Sequence, residues 1–311
     1  MHTIKVQGHA TLTAPILDDP DEVCAIQLLA ETAWRHRSHL VQYHPKAFAV
    51  INGKVLQVDV DACCRATRPT HLGKTMQELL CCSARGYREI MVRTRSAFER
   101  FYQGTLVPAG ILFFGEDTPL SRMPGRKLLI SGPGCRDQLL HMDSLCPSLV
   151  GNVYLRATGY EGVPIVPTRF RADPPGAPTH PRDLSDDLQA AAMAGGIPWD
   201  QREETGPGML KHNQAVVFAG NVVHGGPAAR DGLLRIVLFQ YLRPGYVPEE
   251  DLSDYQEFEF SVNYRLHGAH ALSTRQALRN TRGRWRDHFH EKKGNSQFEA
   301  LECADKGQFG E

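Results

Sequence analysis

The sequence predicts a mainly β protein with flanking helices, an α+β chain built around a double-stranded β-helix, or jelly roll. Two long apolar segments, 214–223 and 233–241, are typical of buried strands and are joined by a turn rich in Gly, Pro and Asp. An Asn52-Gly53 pair at the centre of residues 47–60 predicts a β-hairpin. A jelly-roll core also brings together strands that are far apart in the chain, as the candidate metal ligands described below require.

The remaining elements follow in chain order. Residues 1–19 are predicted to be an extended arm, and residues 21–36 a helix that Asp18 or Asp19 caps, because apolar side chains recur at helical spacing. The apolar segment 105–114 is interpreted as a strand leading inward. Further helices are expected at 75–82 and 96–102, and further strands at 127–131, around 141–143 and at 150–157.

The 311 residues are interpreted as one domain, 1–311. Residues 1–110 supply helical and hairpin support, and the jelly-roll core spans about 111–245. Residues 158–209 are rich in Pro and Gly and are predicted to be a lid-like insertion over the site, interrupted by one short helix. The polar residues 246–311 form a C-terminal extension.

Composition bounds the function without defining it. Hydrophobic residues make up 41% of the chain, and 35 basic residues balance 35 acidic ones, which argues against a nucleic-acid footprint over the whole protein. No apolar run approaches membrane-spanning length and the N-terminus lacks the layout of a signal peptide, so a cytoplasmic protein without a membrane partner is expected. The eight cysteines lack regular metal or disulfide spacing and are expected to be free thiols, with a zinc site from the vicinal pairs as the alternative.

The only H-x-D or H-x-E tripeptide in the chain is His141-Met142-Asp143. In a strand, residues i and i+2 share a face, so His141 and Asp143 point the same way. His224 ends the distant apolar strand and is followed by two glycines. Two imidazoles and one carboxylate make the facial triad of non-haem Fe(II) oxygenases, which leaves positions open on the metal. The predicted metal ligands are therefore His141, Asp143 and His224.

Arg235 is the one charged residue in the apolar strand 233–241. A buried guanidinium needs an anionic partner. The side chains that share its face, Val237, Phe239 and Tyr241, offer none. A carboxylate matches the two-pronged geometry of guanidinium, so Arg235 is predicted to bind the carboxylate of a ligand.

Taken together, these residues resemble the Fe(II)/2-oxoglutarate-dependent dioxygenases, and most closely the phytanoyl-CoA dioxygenase-like branch. The similarity lies in a Pro133-Gly134 turn and Gln138 before the H-x-D, an apolar strand into His-Gly, and an arginine on the next strand. It covers roughly residues 127–157 and 211–241. The chain departs from the family at residues 166–169, Val-Pro-Thr-Arg, where many members have a Pro-Gly-Ser-His segment, and this puts the substrate side of the pocket in question.

The resemblance implies that the predicted triad binds Fe(II) and that Arg235 binds the distal carboxylate of 2-oxoglutarate. Gln138 either contacts this cosubstrate or only packs beside it. The implied activity is hydroxylation, or a related oxidation, of an unidentified substrate with O₂, releasing succinate and CO₂, with ascorbate as an optional reductant. A small-molecule substrate is expected, while the basic stretch 274–293 leaves nucleic acid or protein open.

Two other classes of protein remain alternatives. A cupin-type metal enzyme would use the metal without 2-oxoglutarate, but the buried charge of Arg235 would then lack a purpose. A non-catalytic jelly-roll binding module would keep the ligands by descent, although each predicted ligand position carries a competent residue.

Overall fold

The computed structural model describes residues 8–67, 70–122, 125–141, 143, 148–171, 204–220 and 222–244. The predicted extension 246–311 with its basic stretch, and residues 172–203 of the predicted insertion with its short helix, lie outside the described residues. Within them, no helix combines the length and the apolar character needed to cross a membrane.

Six α-helices occur among the described residues, all in the N-terminal part of the chain. Their bounds are α1 Pro20–Arg35, α2 Arg37–Tyr43, α3 Val60–Arg65, α4 His71–Leu79, α5 Ala84–Phe101 and α6 Val107–Phe114. Asp19 caps α1 by accepting a hydrogen bond from Asp21 N–H at 2.9 Å, as the sequence predicts. Ser83 caps α5 in the same way through Gly86 N–H at 3.1 Å.

The apolar segment 105–114 is helical, and the prediction of a strand there was wrong. Helix α5 continues through a π-helical turn, Tyr102–Leu106, directly into α6. Pro108 lies just after the π-helical turn, and because it has no N–H it removes one hydrogen bond from the continuous helical ladder at this point. A short apolar run does not distinguish a buried helix from a buried strand by periodicity alone, which is why the sequence was misread.

Eleven strands form two antiparallel sheets among the described residues. In chain order they are β1 His9–Leu12, β2 Phe48–Ile51, β3 Val55–Asp59, β4 Leu120–Arg122, β5 Lys127–Ser131, β6 Leu149–Arg156, β7 Arg169–Arg171, β8 Glu204–Thr205, β9 Gln214–Ala219, β10 His224–Gly225 and β11 Arg235–Pro244. The large sheet has the order β1-β9-β6-β11-β5-β3-β2, with β4 beside the end of β11, and the small sheet has the order β10-β7-β8. The predicted hairpin is confirmed, as are the strands predicted at 127–131, 150–157, 214–223 and 233–241, and the N-terminal strands β1, β2 and β3 belong to the large sheet.

The centre of the large sheet is buried on both faces, and β6 is buried along its whole length. Its side chains alternate, so that Val153 and Leu155 pack with the helices, whereas Val150 and Tyr154 face the small sheet. Phe170 of β7 joins this second cluster, so the two sheets face each other across it. Two facing antiparallel sheets with helices on the outer side form the predicted jelly-roll core, and the predicted fold class is confirmed.

The segment that carries the H-x-D is not a regular strand, contrary to the prediction. His141 forms an isolated antiparallel bridge with His224, and Asp143 follows in a bend. The segment nevertheless lies beside β10, at the edge of the small sheet. The two distant histidines therefore meet as the sequence predicts, although the local geometry differs.

Candidate metal centre

The predicted triad of His141, Asp143 and His224 comes together, with one ligand atom of each residue within 4.8 Å of the others. Asp143 Oδ1 is 3.7 Å from His141 Nε2, and Asp143 Oδ2 is 3.2 Å from His224 Nε2. Asp143 is 8% exposed and His224 5%, so water has little access to these groups. In the part of the chain that the structure describes, this is the one group of three or more His, Cys, Asp or Glu side chains with the spacing of a metal site.

Backbone hydrogen bonds join the two histidine segments. His141 and His224 each donate their N–H to the carbonyl of the other, both at 2.8 Å. Gln138 N–H donates to Gly226 O at 2.9 Å. Two residues, Leu139 and Leu140, therefore lie between the two paired positions on one side, whereas one residue, Gly225, lies between them on the other. The segment before His141 therefore accommodates one extra residue, as in a β-bulge, and this is why it does not form a regular strand.

In both histidines, Nδ1 lies within hydrogen-bond distance of a backbone carbonyl oxygen. His141 Nδ1 is 3.0 Å from Leu139 O, and His224 Nδ1 is 2.8 Å from Val222 O. A carbonyl oxygen only accepts hydrogen bonds, so each Nδ1 carries a proton, and Nε2 of each ring is the nitrogen that faces Asp143. Metal-binding histidines have this arrangement, because a hydrogen bond at one nitrogen fixes the tautomer and the orientation of the ring.

The triad fits a divalent cation. Nε2 of each ring and the Asp143 carboxylate converge, and a divalent cation among them would be held by all three donors. The ring centroids of His141 and His224 are 4.5 Å apart. Two neutral imidazoles and one carboxylate are the donor set of non-haem Fe(II) centres and leave further positions for small molecules.

Arg235, the first residue of β11, is 6% exposed and has neutral hydrogen-bond partners. Its Nη1 donates to Val166 O at 3.0 Å, and its Nη2 donates to Pro227 O at 2.6 Å and to Ser131 Oγ at 3.2 Å. Its Nε is buried with no hydrogen-bond partner among the described residues. Burial lowers the pKa of this guanidinium because it disfavours the charged form. An anion bound beside Arg235 would offset that cost.

A second buried arginine, Arg156, lies opposite Arg235 in the pairing of β6 with β11. Its Nη2 donates to Asp231 Oδ2 at 2.7 Å, and its Nε donates to Val163 O at 3.2 Å. Among the described residues, the carboxylate of Asp231 therefore hydrogen-bonds to Arg156, whereas the acceptors of Arg235 are neutral. Two adjacent guanidinium groups give this region a positive potential that favours an anionic ligand.

A polar cluster on β6 beside Arg235 was not predicted from the sequence. Tyr154, which lies opposite the next inward-facing position of β11, has its Oη 2.7 Å from Thr168 Oγ1 and accepts a hydrogen bond from Thr168 N–H at 3.0 Å. Asn152 Nδ2 donates to the same two hydroxyl groups at 3.4 and 3.3 Å. The signal was present in the sequence, because residues 152, 154 and 156 place polar groups at every second position of an otherwise apolar strand.

Gln138 lies next to both the triad segment and Arg235. Its Oε1 accepts a hydrogen bond from Gly226 N–H at 2.8 Å, so the side chain completes the hydrogen bonding that the extra residue interrupts. A Cβ at Gly226 would lie 2.5 Å from Gln138 Oε1 and 3.3 Å from Arg235 Nη2, so any side chain here would displace the end of Gln138. A contact between Gln138 and a cosubstrate stays a prediction.

Aromatic rings line one side of the triad. The Phe218 ring centroid is 4.6 Å from that of His224, and the Phe170 centroid is 6.2 Å away. His9 of β1 stacks on Phe170 with a centroid distance of 4.3 Å and an interplanar angle of 6°. We refer to His9, Phe170 and Phe218 as the aromatic wall. It was not predicted, because its three members come from strands that are distant in sequence.

No family model matches the chain, and no curated protein matches it. Solved structures with a similar fold include AviO1 from Streptomyces viridochromogenes Tue57, at 17% identity and a TM-score of 0.44, covering 79% of this chain and 94% of that one. The non-heme alpha ketoglutarate dependent carbocyclase SnoK from nogalamycin biosynthesis is similar at 12% identity and a TM-score of 0.40, covering 78% and 81%.

HygX from Streptomyces hygroscopicus, solved with nickel and 2-oxoglutarate bound, is similar at 10% identity and a TM-score of 0.41, covering 80% of this chain and 87% of that one. A likeness of this size does not carry a functional argument. The function proposed below therefore rests on the contacts of this chain's own residues.

Proposed function

We propose that the protein is an Fe(II)- and 2-oxoglutarate-dependent dioxygenase that oxidises a small molecule. One observation carries the proposal: a His-Asp-His group suited to Fe(II) lies near a buried arginine, Arg235, whose hydrogen-bond acceptors are neutral. The first feature calls for a metal and the second for an anion. A 2-oxo dicarboxylate satisfies both, because one end chelates the metal and the other end is a free carboxylate.

In this proposal, Nε2 of His141, Nε2 of His224 and the Asp143 carboxylate would hold Fe(II). The bound iron and cosubstrate, with O₂, supply the oxidising chemistry and release succinate and CO₂. The carbonyls of Leu139 and Val222 hold the two rings in the tautomer that presents Nε2. The burial of Asp143 and His224 keeps bulk water from competing for the metal.

Arg235 would bind the distal carboxylate of 2-oxoglutarate. The buried Nε of Arg235 is a donor without a partner among the described residues, and it would give a charge-assisted hydrogen bond to a carboxylate oxygen. Ser131 Oγ already contacts Arg235 and adds a hydroxyl group beside that position. Gln138, whose Oε1 is held by Gly226, would border the cosubstrate from the side of the triad.

A small-molecule substrate is supported by the apolar character of the aromatic wall next to His224. Phe170 and Phe218 are themselves buried, and they make the protein matrix around His224 apolar. The basic stretch 274–293, which left nucleic acid or protein open, lies outside the described residues.

We further propose that the chain belongs with the phytanoyl-CoA dioxygenase-like branch. Its support is the Pro133-Gly134 turn before the H-x-D, which closes with a hydrogen bond from Cys135 N–H to Gly132 O at 3.0 Å and has Gly134 at φ +86°. The divergent segment 166–169 contributes Val166 O to Arg235 and Thr168 to the polar cluster. The departure from the family pattern thus affects the surroundings of Arg235.

The experiment that tests this function is anaerobic addition of Fe(II), followed by 2-oxoglutarate, to the purified protein. The iron chelate of 2-oxoglutarate has a weak visible charge-transfer band. We expect the band in the parent protein, a weaker band at equal cosubstrate concentration in Arg235→Ala, and no band in His224→Ala. Arg88→Ala, which removes an exposed arginine of α5, is the control for loss of positive charge and should match the parent.

Each other outcome favours a different class of protein. Iron binding without the band would indicate a metal enzyme that does not use 2-oxoglutarate, as in a cupin-type enzyme. Failure of the parent to bind iron would leave a non-catalytic binding module and overturn the proposal. Equal weakening in Arg235→Ala and Arg88→Ala would remove the assigned role of Arg235.

A further inference from the structure

The turn between β2 and β3 contacts the segment that leads into His141. Arg136 N–H donates to Gly53 O at 2.9 Å, and Cys135 Sγ lies 3.1 Å from Lys54 O. Gly53 has φ +73°, and a Cβ there would lie 2.8 Å from Arg136 O, so the backbones approach closely only because this residue is glycine. The Asn52-Gly53 pair thus does more than close a hairpin, because it supports a segment distant in sequence.

The side chain of Asn52 binds both backbone groups of Leu139. Asn52 Nδ2 donates to Leu139 O at 3.0 Å, and Asn52 Oδ1 accepts from Leu139 N–H at 3.1 Å. The same Leu139 carbonyl accepts the hydrogen bond from His141 Nδ1 at 3.0 Å. A carbonyl oxygen has two lone pairs, so it serves Asn52 and His141 together.

We propose that Asn52 is a positioning residue for His141, and the inference rests on the proposed metal site. Asn52 fixes the direction of the Leu139 carbonyl, and that carbonyl fixes the tautomer and the rotation of the His141 ring. Leu139 needs such support because it lies within the bulged part of the segment, between the pairings of Gln138 and His141 with the opposite strand. At Leu139, the side-chain amide of Asn52 makes the hydrogen bonds that the backbone of the opposite strand would make in a regular β-ladder.

The two histidines differ in where this support comes from. His224 Nδ1 donates to the carbonyl of Val222, and Val222 N–H donates to Ala219 O at 3.1 Å within the same loop. His141 instead takes its support from Asn52, on a hairpin of the large sheet. Loss of the Asn52 amide should therefore disturb one ligand of the metal and leave the other in place.

Metal affinity of the apo-protein tests the inference independently of catalysis. Co(II) would be titrated anaerobically into the parent, Asn52→Ala, Asn52→Asp and the control Lys54→Ala, while the visible d–d absorption is recorded. Lys54 is the exposed neighbour in the same turn, so its substitution controls for general loosening of the hairpin. Thermal unfolding of each apo-protein separates loss of fold from loss of positioning.

We expect Asn52→Ala to bind Co(II) about 10-fold more weakly, with a changed d–d spectrum, because it loses both hydrogen bonds to Leu139. Asn52→Asp keeps the acceptor for Leu139 N–H but sets a carboxylate oxygen against Leu139 O, so it should also bind more weakly. Lys54→Ala should match the parent, and all the apo-proteins should unfold at similar temperatures.

Parent-like affinity and spectrum in Asn52→Ala, or equal weakening in Lys54→Ala, would overturn the positioning role. Failure of the parent to bind Co(II) would instead overturn the proposed metal site itself. The two failures are therefore distinguishable in one set of titrations.

Discussion

Arg156 and Arg235 are direct neighbours across the β6–β11 pairing, and both are almost fully buried. Arg156 hydrogen-bonds to Asp231, whereas the hydrogen-bond acceptors of Arg235 are carbonyl and hydroxyl oxygens. Two adjacent buried cations, with one carboxylate hydrogen-bonded to Arg156, create a local excess of positive charge. The stability of this region and its choice of ligand should both depend on that excess.

Removing the carboxylate partner of Arg156 should destabilise the protein. In Asp231→Asn, Arg156 keeps its carbonyl acceptors but loses its anion, and we expect a loss of about 1–2 kcal/mol in the free energy of unfolding, because Asp231 is partly exposed and its interaction partly screened. Urea unfolding measures the change. Glu89→Gln, which breaks the exposed Arg85–Glu89 pair, is the matched control, with an expected effect below about 0.5 kcal/mol. Equal effects in the two variants would contradict the prediction.

Arg235 should make the protein select a dicarboxylate over a monocarboxylate. We expect the parent to bind 2-oxoglutarate more than about 10-fold more tightly than 2-oxobutyrate, because the second compound lacks the carboxylate that Arg235 would bind. In Arg235→Ala this preference should disappear, while the weak affinity for 2-oxobutyrate changes little. Competition for the visible band of the iron complex measures both affinities. A preference that survives in Arg235→Ala would assign the distal carboxylate to another residue.

A side chain at Gly226 should collide with Gln138. Gly226→Ala places a methyl group 2.5 Å from Gln138 Oε1, and we expect about 1–3 kcal/mol of destabilisation. Because the collision is with the end of a side chain, adding Gln138→Ala should recover part of that loss. A double-mutant cycle by urea unfolding measures the coupling. Strictly additive effects would show that the cost at Gly226 comes from another contact.

Stability should fall on acidification below neutral pH because of His44, which is buried, and His212, which is partly buried. Burial lowers the pKa of His44, with smaller contributions from His71 and His39, and burial also lowers the pKa of His212, whose Nδ1 accepts Arg156 N–H at 3.0 Å. The unfolded chain therefore takes up protons first as the pH falls through the ordinary histidine value of 6.5. Stability is fully present above that value and is lost between it and the lowered folded values.

Urea unfolding of the metal-free protein from pH 7.5 downward measures this slope, which cannot exceed about 1.4 kcal/mol per pH unit for each histidine. His212→Gln keeps an acceptor for Arg156 N–H without a titrating group, so it should reduce the slope. A profile in His212→Gln that is as steep as that of the parent would exclude His212 as a source.

Much of the candidate site follows from local sequence patterns. The spacing of His141 and Asp143, the position of His224 before two glycines, and the lone charge of Arg235 in an apolar strand each lie within one short segment. The fold then brings these segments together, as the predicted jelly roll requires. Such features can be recognised in a sequence because the chemistry of the site requires particular residue types at a fixed spacing.

Other features depend on contacts between distant segments, which one sequence does not reveal. Asn52 was identified as a turn residue, but its contact with Leu139 depends on how a hairpin docks against a bulge. The pairing of Arg156 with Asp231 depends on the register of two long strands. The helix at 107–114 was mistaken for a strand because even its exposed positions are apolar, Leu112 being 56% exposed, so no polar residues mark a helical periodicity.

The pairing of β1 with β9 has a consequence for how the chain folds. His9 lies opposite Phe218, so the first strand of the sheet joins a strand that emerges from the ribosome only after most of the core. Strand β6 pairs with β9 in the complete sheet, so this edge of β6 has no partner until β9 has been synthesised. The unpaired edge of an apolar strand favours aggregation. Folding of this sheet is therefore expected to be slow and dominated by late, long-range contacts, and nascent chains that stop short of β9 should depend on chaperones.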